Sequence, residues 1–290
     1  MYGTHSIEVK DEKIVHALIV VHGGGRNADH YFSTGVTAAL LANALDGTIV
    51  IAPRFASQQG SCNDILASDE INWDCGQGGA GGWRAGSVSS SGGELTSFDF
   101  MDTVLSKLAE AATFPKLKTI TVAGFSAGGQ YVQRYQMVNR QHEKLRVPVT
   151  YVVGSPSSYG YPDPLRPVPD GSAFAAFADT QNCTTYDRWP FGLSSRSGYS
   201  APLSEEQMRH QLISRPVTYL IGELESPESP ALDVSCPAMA QGRSRLQRGR
   251  SFLKYITEKY GAKQKMIVVR QCGHNDRCVF TDDVAIPFRL

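Results

Sequence analysis

The segment TVAGFSAGGQYVQRY, residues 121–135, constrains this chain more than any other. It starts with β-branched residues that favour an extended strand and ends in helix-like spacing. The change of period is confined to Gly124-Phe125-Ser126-Ala127-Gly128. A strand that becomes a helix within five residues needs small residues at the ends of the turn, because bulkier ones would strike the adjoining strand and helix. Such a turn holds its serine in a strained backbone conformation with the hydroxyl exposed, and it points the Ala127 N–H toward a developing oxyanion. The string G-x-S-x-G alone is expected by chance in roughly one chain in four of this composition, so its surroundings decide. The plain alternative is a helix start with Ser126 as its N-cap.

Those surroundings alternate strand and helix. Short, continuously apolar runs at 14–21, 48–52, 119–124, 148–153, 216–222 and 266–270 read as strands buried on both faces of a parallel sheet. A polar strand around 6–10 would pair at the edge. Residues 94–113, 126–140 and 238–260 carry helical spacing. The expected fold is therefore α/β, with a mostly parallel sheet flanked by helices. With 290 residues, it forms one domain spanning 1–290. Two long stretches, 55–93 and 155–204, read as irregular insertions. Each follows a sheet strand, on the side where open α/β sheets bind ligands.

A serine hydroxyl needs a base to take its proton. His274, in VVRQCGHND, follows the last apolar strand and is the candidate. The acid that would orient it belongs just past the preceding strand, where Glu223, Glu225, Glu228 and Asp233 are all available. The fourth element is VHGGGRN, residues 21–27, directly after a strand. Its glycines let backbone N–H groups approach a substrate oxygen. It lacks the G-K-[ST] of a phosphate loop and the acidic partner of a dinucleotide site.

Composition narrows the remaining classes. Formal net charge is zero, so no global field favours nucleic acid or an anionic membrane. No apolar run is long enough for a transmembrane segment. Six cysteines, Cys62, Cys75, Cys183, Cys236, Cys272 and Cys278, allow 15 pairings. Cys62–Cys75 and Cys272–Cys278 are near enough in sequence to close local loops, leaving Cys183–Cys236; free thiols in a cytoplasmic protein are the alternative. A Cys272–Cys278 bridge would fix the His274 loop. The disulfide reading places the protein in a secreted or periplasmic setting, its signal peptide removed. No C-x-x-C pair suggests zinc, and no metal is expected.

HGGGRNADHYF, VAGFSAGGQYVQRY, GSPSSYGY, CPAMAQGRSRLQRG and CGHND together give a chain that resembles the α/β-hydrolase superfamily over most of its length. More narrowly it is similar to secreted serine esterases related to polyhydroxyalkanoate depolymerases and feruloyl esterases. The resemblance implies Ser126 as nucleophile, His274 as base and, three residues after the strand-end Gly222, Glu225 as acid, where related sequences usually have Asp. It implies an oxyanion hole at Gly24 and Ala127, with Gly25 as a further candidate. The implied activity is hydrolysis of small or polymeric carboxylic esters through an acyl-enzyme, without a cofactor. Amidase, peptidase and acyltransferase chemistry could use the same triad, and a non-catalytic binding protein is the rival of another class. Tyr31, Trp83, Phe125, Tyr159, Tyr161 and Trp189 are candidates for an aromatic substrate pocket or, equally, for packing the two long loops. The arginines of AMAQGRSRLQRG read as a solvated helix face or ion pairs.

Overall fold

The computed structural model describes residues 1–59, 62–75 and 81–286. Its sheet contains β1 (Tyr2–Gly3), β2 (His16–Val21), β3 (Thr48–Ala52), β4 (Thr119–Phe125), β5 (Val149–Gly154), β8 (Val217–Gly222) and β9 (Lys265–Val269). A separate hairpin pairs β6 (Leu165–Pro167) with β7 (Phe174–Ala176). The helices are α1 (Ala28–Leu41), α2 (Ser97–Leu108), α3 (Ala127–Val138), α4 (Glu205–Ser214), α5 (Cys236–Met239), α6 (Arg245–Tyr260) and α7 (Asp276–Thr281). Sheet order is β1-β3-β2-β4-β5-β8-β9, and every neighbouring pair is parallel except β1 with β3. The chain leaves β2 for β3 on one side and returns at β4 on the other. The β2–β4 boundary is thus the switch point where a crevice opens beyond the strand ends.

Double burial explains why the strands are continuously apolar. Residues 17–21 of β2 and all of β3 and β8 are buried, and one large cluster of buried side chains packs around the sheet. Helix α2 starts with a reciprocal capping box between Thr96 and Asp99.

Three expectations change. The edge strand is not 6–10 but Tyr2–Gly3, extended by the Thr4 N–H bonding to Val50 O at 3.0 Å. Ser6 Oγ takes the Glu8 N–H at 3.2 Å, a local turn that competes with strand pairing. The expected helix 238–260 is split, because Gly242 has φ +137° and Gln241 uses its side-chain amide on both backbone groups of Tyr159, at 2.8 Å each. Ser244 then caps α6 through the Gln247 N–H at 3.2 Å. The stretch 155–204 is only partly irregular, since it holds the β6–β7 hairpin. Of 55–93, residues 60–61 and 76–80 lie outside the described residues, as do 287–290 of the expected domain. The rest of 55–93 has no strand or α-helix before the short 3-10 turn Gly82–Ala85.

Candidate active site

The segments that follow β2, β4, β8 and β9 carry the candidate residues Gly24, Ser126, Glu225 and His274. β4 runs straight into α3 through Ser126, whose φ is +58°. A β-carbon on Gly124 would collide with the Gly128 backbone, and one on Gly128 would collide with Val21 and His22 carbonyls at the end of β2. Sterics alone therefore require both glycines. The Ser126 N–H is fixed by Gly154 O at 2.9 Å. Ser126 occupies the N-cap position of α3, but its side chain makes no capping hydrogen bond. Its Oγ lies 2.9 Å from His274 Nε2 instead.

His274 comes from the loop between β9 and α7. Its Nδ1 is 2.6 Å from Glu225 Oε1, and the imidazole is nearly buried against the Phe125 ring, 4.9 Å between centroids. With Nδ1–H donating to the carboxylate, Nε2 is left to accept the Ser126 proton. Two restraints hold this loop. The Cys272–Cys278 disulfide is one. The other is Asp276, which accepts from Thr34 Oγ1 at 2.8 Å and pairs with His30 Nε2 at 3.0 Å, both on α1. The other disulfides are Cys62–Cys75 and Cys183–Cys236.

Among the four acids past β8, the structure brings Glu225 to the histidine. Glu223 is exposed and accepts the Gln271 N–H at 3.1 Å; Glu228 is exposed; Asp233 sits in the cleft wall and accepts the Ser235 N–H at 2.9 Å. Glu225 Oε2 pairs with the guanidinium of Arg245 at 3.3 Å, and both side chains are fully buried. Burial by itself would raise the Glu225 carboxyl. The hydrogen bond and charge of His274, joined by the charge of Arg245, outweigh it and hold the group below its ordinary value. Arg245 and Arg248 are therefore no solvated helix face: Arg245 is an ion-pair partner, and Arg248 donates to the carbonyls of Gly242 and Ser157. Nothing in the local sequence marks them, since most of their partners lie far away along the chain.

Gly24, Gly25, Ser126 and Ala127 face a common cleft of about 580 Å³. Among the described residues, no backbone acceptor takes the N–H of Gly24, Gly25 or Ala127. These N–H groups are available to an oxyanion. The loop's geometry is held from behind by His22, which the sequence reading passed over. His22 is fully buried, its Nε2 accepts the Phe55 N–H at 2.9 Å, and its Nδ1 is 2.8 Å from Gly23 O. These contacts require neutral imidazole, and burial pushes the group down to about 4.

The structure does not bring the six aromatic candidates into the cleft wall, which consists of Gly24, Gly25, Arg84, Ser126, Ala127, Gln130, Ser157 and residues 231–235. Tyr31 packs under Gly23, and Phe125 backs His274. Trp83 stacks on Phe55 at 5.2 Å and meets His22 edge-on; Tyr159 stacks on Phe252 at 4.5 Å, and Tyr161 also contacts Phe252. Trp189 Nε1 donates to Ala85 O at 3.0 Å. Tyr31, Trp83, Phe125, Tyr159 and Tyr161 are buried, and Trp189 is half-buried; Trp83, Phe125, Tyr159 and Tyr161 pack against rings outside this set. Among the described residues, no cluster of three or more His, Cys, Asp or Glu could hold a metal ion, and no helix is long and apolar enough to cross a membrane.

Residues 18–286 match the alpha/beta hydrolase family, and the chain belongs to it. Solved structures with a similar fold include poly(aspartic acid) hydrolase-1 from Sphingomonas sp. KT-1, at 21% identity and TM-score 0.64, covering 93% of this chain and 86% of that one. Another is LpqC, a poly(3-hydroxybutyrate) depolymerase from Bordetella parapertussis, at 20% identity and TM-score 0.62, covering 91% and 77%. At these identities the likeness is one of fold. No curated protein matches the sequence.

Proposed function

We propose that this hydrolase acts as a single domain that cleaves carboxylic esters through an acyl-enzyme formed on Ser126. The observation that carries the reading is the unbroken relay from Ser126 Oγ through His274 to Glu225, with steps of 2.9 and 2.6 Å. Ser126 Oγ attacks the ester carbonyl carbon as its proton passes to His274 Nε2. The carbonyl oxygen, now anionic, is met by the N–H groups of Gly24 and Ala127, with Gly25 beside them. Collapse breaks the bond to the alcohol oxygen, which takes the proton from His274. Water then repeats the sequence on the acyl-enzyme and releases the acid. Glu225 stays ionised throughout and stabilises the imidazolium. Each step closes on protein groups and water, so the proposal calls for no cofactor.

A polymeric ester is the second reading. The cleft is bounded by loops rather than enclosed by an aromatic pocket, and one structural neighbour named above is called a poly(3-hydroxybutyrate) depolymerase. The three disulfides favour an oxidising compartment outside the cytoplasm.

A fluorophosphonate probe tests the chemistry. It should label Ser126 in the purified protein and leave Ser126→Ala unlabelled. A wild-type protein that resists the probe and cleaves none of a panel of p-nitrophenyl acyl esters, hydroxycinnamate esters and solid polyesters removes the proposal.

A further inference from the structure

We propose that Arg245 is a positioning residue that ties the triad acid to the wall of the substrate cleft through a single buried guanidinium. The inference rests on the triad reading above and adds a residue to it.

The guanidinium sits at the first turn of α6 with no exposed surface, and its nitrogens are spent on three chain segments. One terminal nitrogen holds Glu225 Oε2 at 3.3 Å. The other donates to Pro230 O at 2.9 Å and Ala231 O at 2.7 Å. Nε donates to Ser157 Oγ at 3.1 Å, and that hydroxyl donates onward to Ala231 O at 3.4 Å. Ser157 and Ala231 both line the cleft beside Ser126. One rigid fork therefore sets the spacing between the acid and the surface that substrate touches. A lysine, with its point charge, could serve one of these arms but not all of them.

The arrangement also suits a glutamate better than the shorter aspartate. Glu225 divides its two oxygens, Oε1 to His274 and Oε2 to Arg245. Its additional methylene gives reach in two directions at once. The carboxylate is buried, so it needs both partners to remain charged and fixed.

The test is a double-mutant cycle between Arg245 and Glu225, read with p-nitrophenyl butyrate and with the rate of fluorophosphonate capture at Ser126. Arg245→Gln should lower kcat by about 10²-fold in the wild-type background, through a misplaced acid and base. In a Glu225→Gln background the same change should lower kcat by no more than about threefold, because the interaction is already lost. KM should rise in both backgrounds, through the cleft wall. Arg245→Lys should recover part of kcat but little of KM, and it carries the same comparison if Arg245→Gln does not fold. An equal loss of kcat in both backgrounds, or no loss in either, overturns the proposal. Failure of the underlying triad reading would look different, since wild-type Ser126 would then resist the probe.

Discussion

The two sides of the site are held by different physics. On the Ser126 side, backbone packs against backbone: Gly124 and Gly128 allow β4, α3 and the end of β2 to approach so closely that no β-carbon fits. On the Glu225 side, side chains do the holding: a buried carboxylate lies between an imidazole and a guanidinium, and the guanidinium reaches loops on both sides. The first side is a steric restraint, set by backbone packing rather than by paired charges. The second depends on charge and hydrogen-bond satisfaction, so it can be loosened by titration or by removing one partner. Under the proposed mechanism, a nucleophile at Ser126 needs a fixed address, whereas a supporting acid at Glu225 needs a fixed charge.

The largest effect tests the steric side. Ser126→Ala should reduce ester turnover on the order of 10⁶-fold and leave thermal unfolding almost unchanged, because the backbone that holds position 126 is untouched. Retention of more than a few per cent of turnover would show that the nucleophile lies elsewhere.

Next comes the charged side. Glu225→Gln should cost about 10²- to 10⁴-fold in kcat, together with stability, since Arg245 is left buried without its counter-charge. Glu223→Gln, Glu228→Gln and Asp233→Asn should each stay within about tenfold of wild type, because none of these acids touches His274. Steady-state kinetics on the four variants decides it, and a larger loss at Glu223 would reassign the acid.

The two sides also differ in how far the sequence announces them. Steric requirements leave local marks: glycines bracketing a serine at a change of period, and glycines after an apolar run. The inner strands were legible because burial keeps charged side chains out of β3, β4, β5 and β8, and β3 spans the expected 48–52. Charge pairing leaves no local mark. Arg245 looks like any arginine on a helix until the fold places Ser157, Glu225 and Ala231 around it. Aromatics misled in the opposite direction. Trp83 and Tyr159 occur in long loops, yet each finds an aromatic partner in the interior. The short edge strand at Tyr2–Gly3 carries no apolar run, so its pairing with β3 had no signal to give.

The glycine loop proposed to meet the oxyanion leans on a titratable group, His22. In the fold its pKa is pushed down from 6.5 to about 4 by burial. Between those values the unfolded chain binds a proton that the folded chain refuses, so stability falls as pH drops from about 6.5 to about 4. Above that window His22 makes no pH-dependent contribution. The loss should reach about 3 kcal/mol. His22→Gln should lack it. The gap in unfolding free energy between wild type and His22→Gln, measured by urea melts at pH 7 and pH 4, should narrow by about that amount. A constant gap would mean that His22 is protonated without strain. Glu225 acts in the same direction at lower pH: its folded pKa is depressed, so its contribution is present above the ordinary carboxylate value and is lost as pH falls through the folded one.

The smallest effect belongs to the Cys272–Cys278 bridge, because the His274 loop is held by both a covalent and a hydrogen-bonded restraint. The disulfide closes a short loop, with a sequence separation of 6, and the entropy it removes from the unfolded chain corresponds to about 2 kcal/mol. If it alone positioned His274, its removal would displace the imidazole, and a shift of about 1 Å can cost on the order of 10²-fold in rate. However, Asp276 independently docks the start of α7 on α1 through Thr34 and His30, and Asn275 caps that helix through the Cys278 N–H at 2.8 Å. Replacing both cysteines by serine should therefore remove about 2 kcal/mol of stability while lowering turnover by less than about tenfold. Adding Asp276→Ala removes the second restraint, and turnover should then fall toward about 10²-fold below wild type. A digest of the unreduced protein, read by mass spectrometry, should contain the Cys272–Cys278 crosslink; alkylation of both cysteines in the native, unreduced protein would remove the premise. A drop approaching 10²-fold from the cysteine changes alone would show that the covalent restraint, and not the hydrogen-bonded one, sets the position of the base.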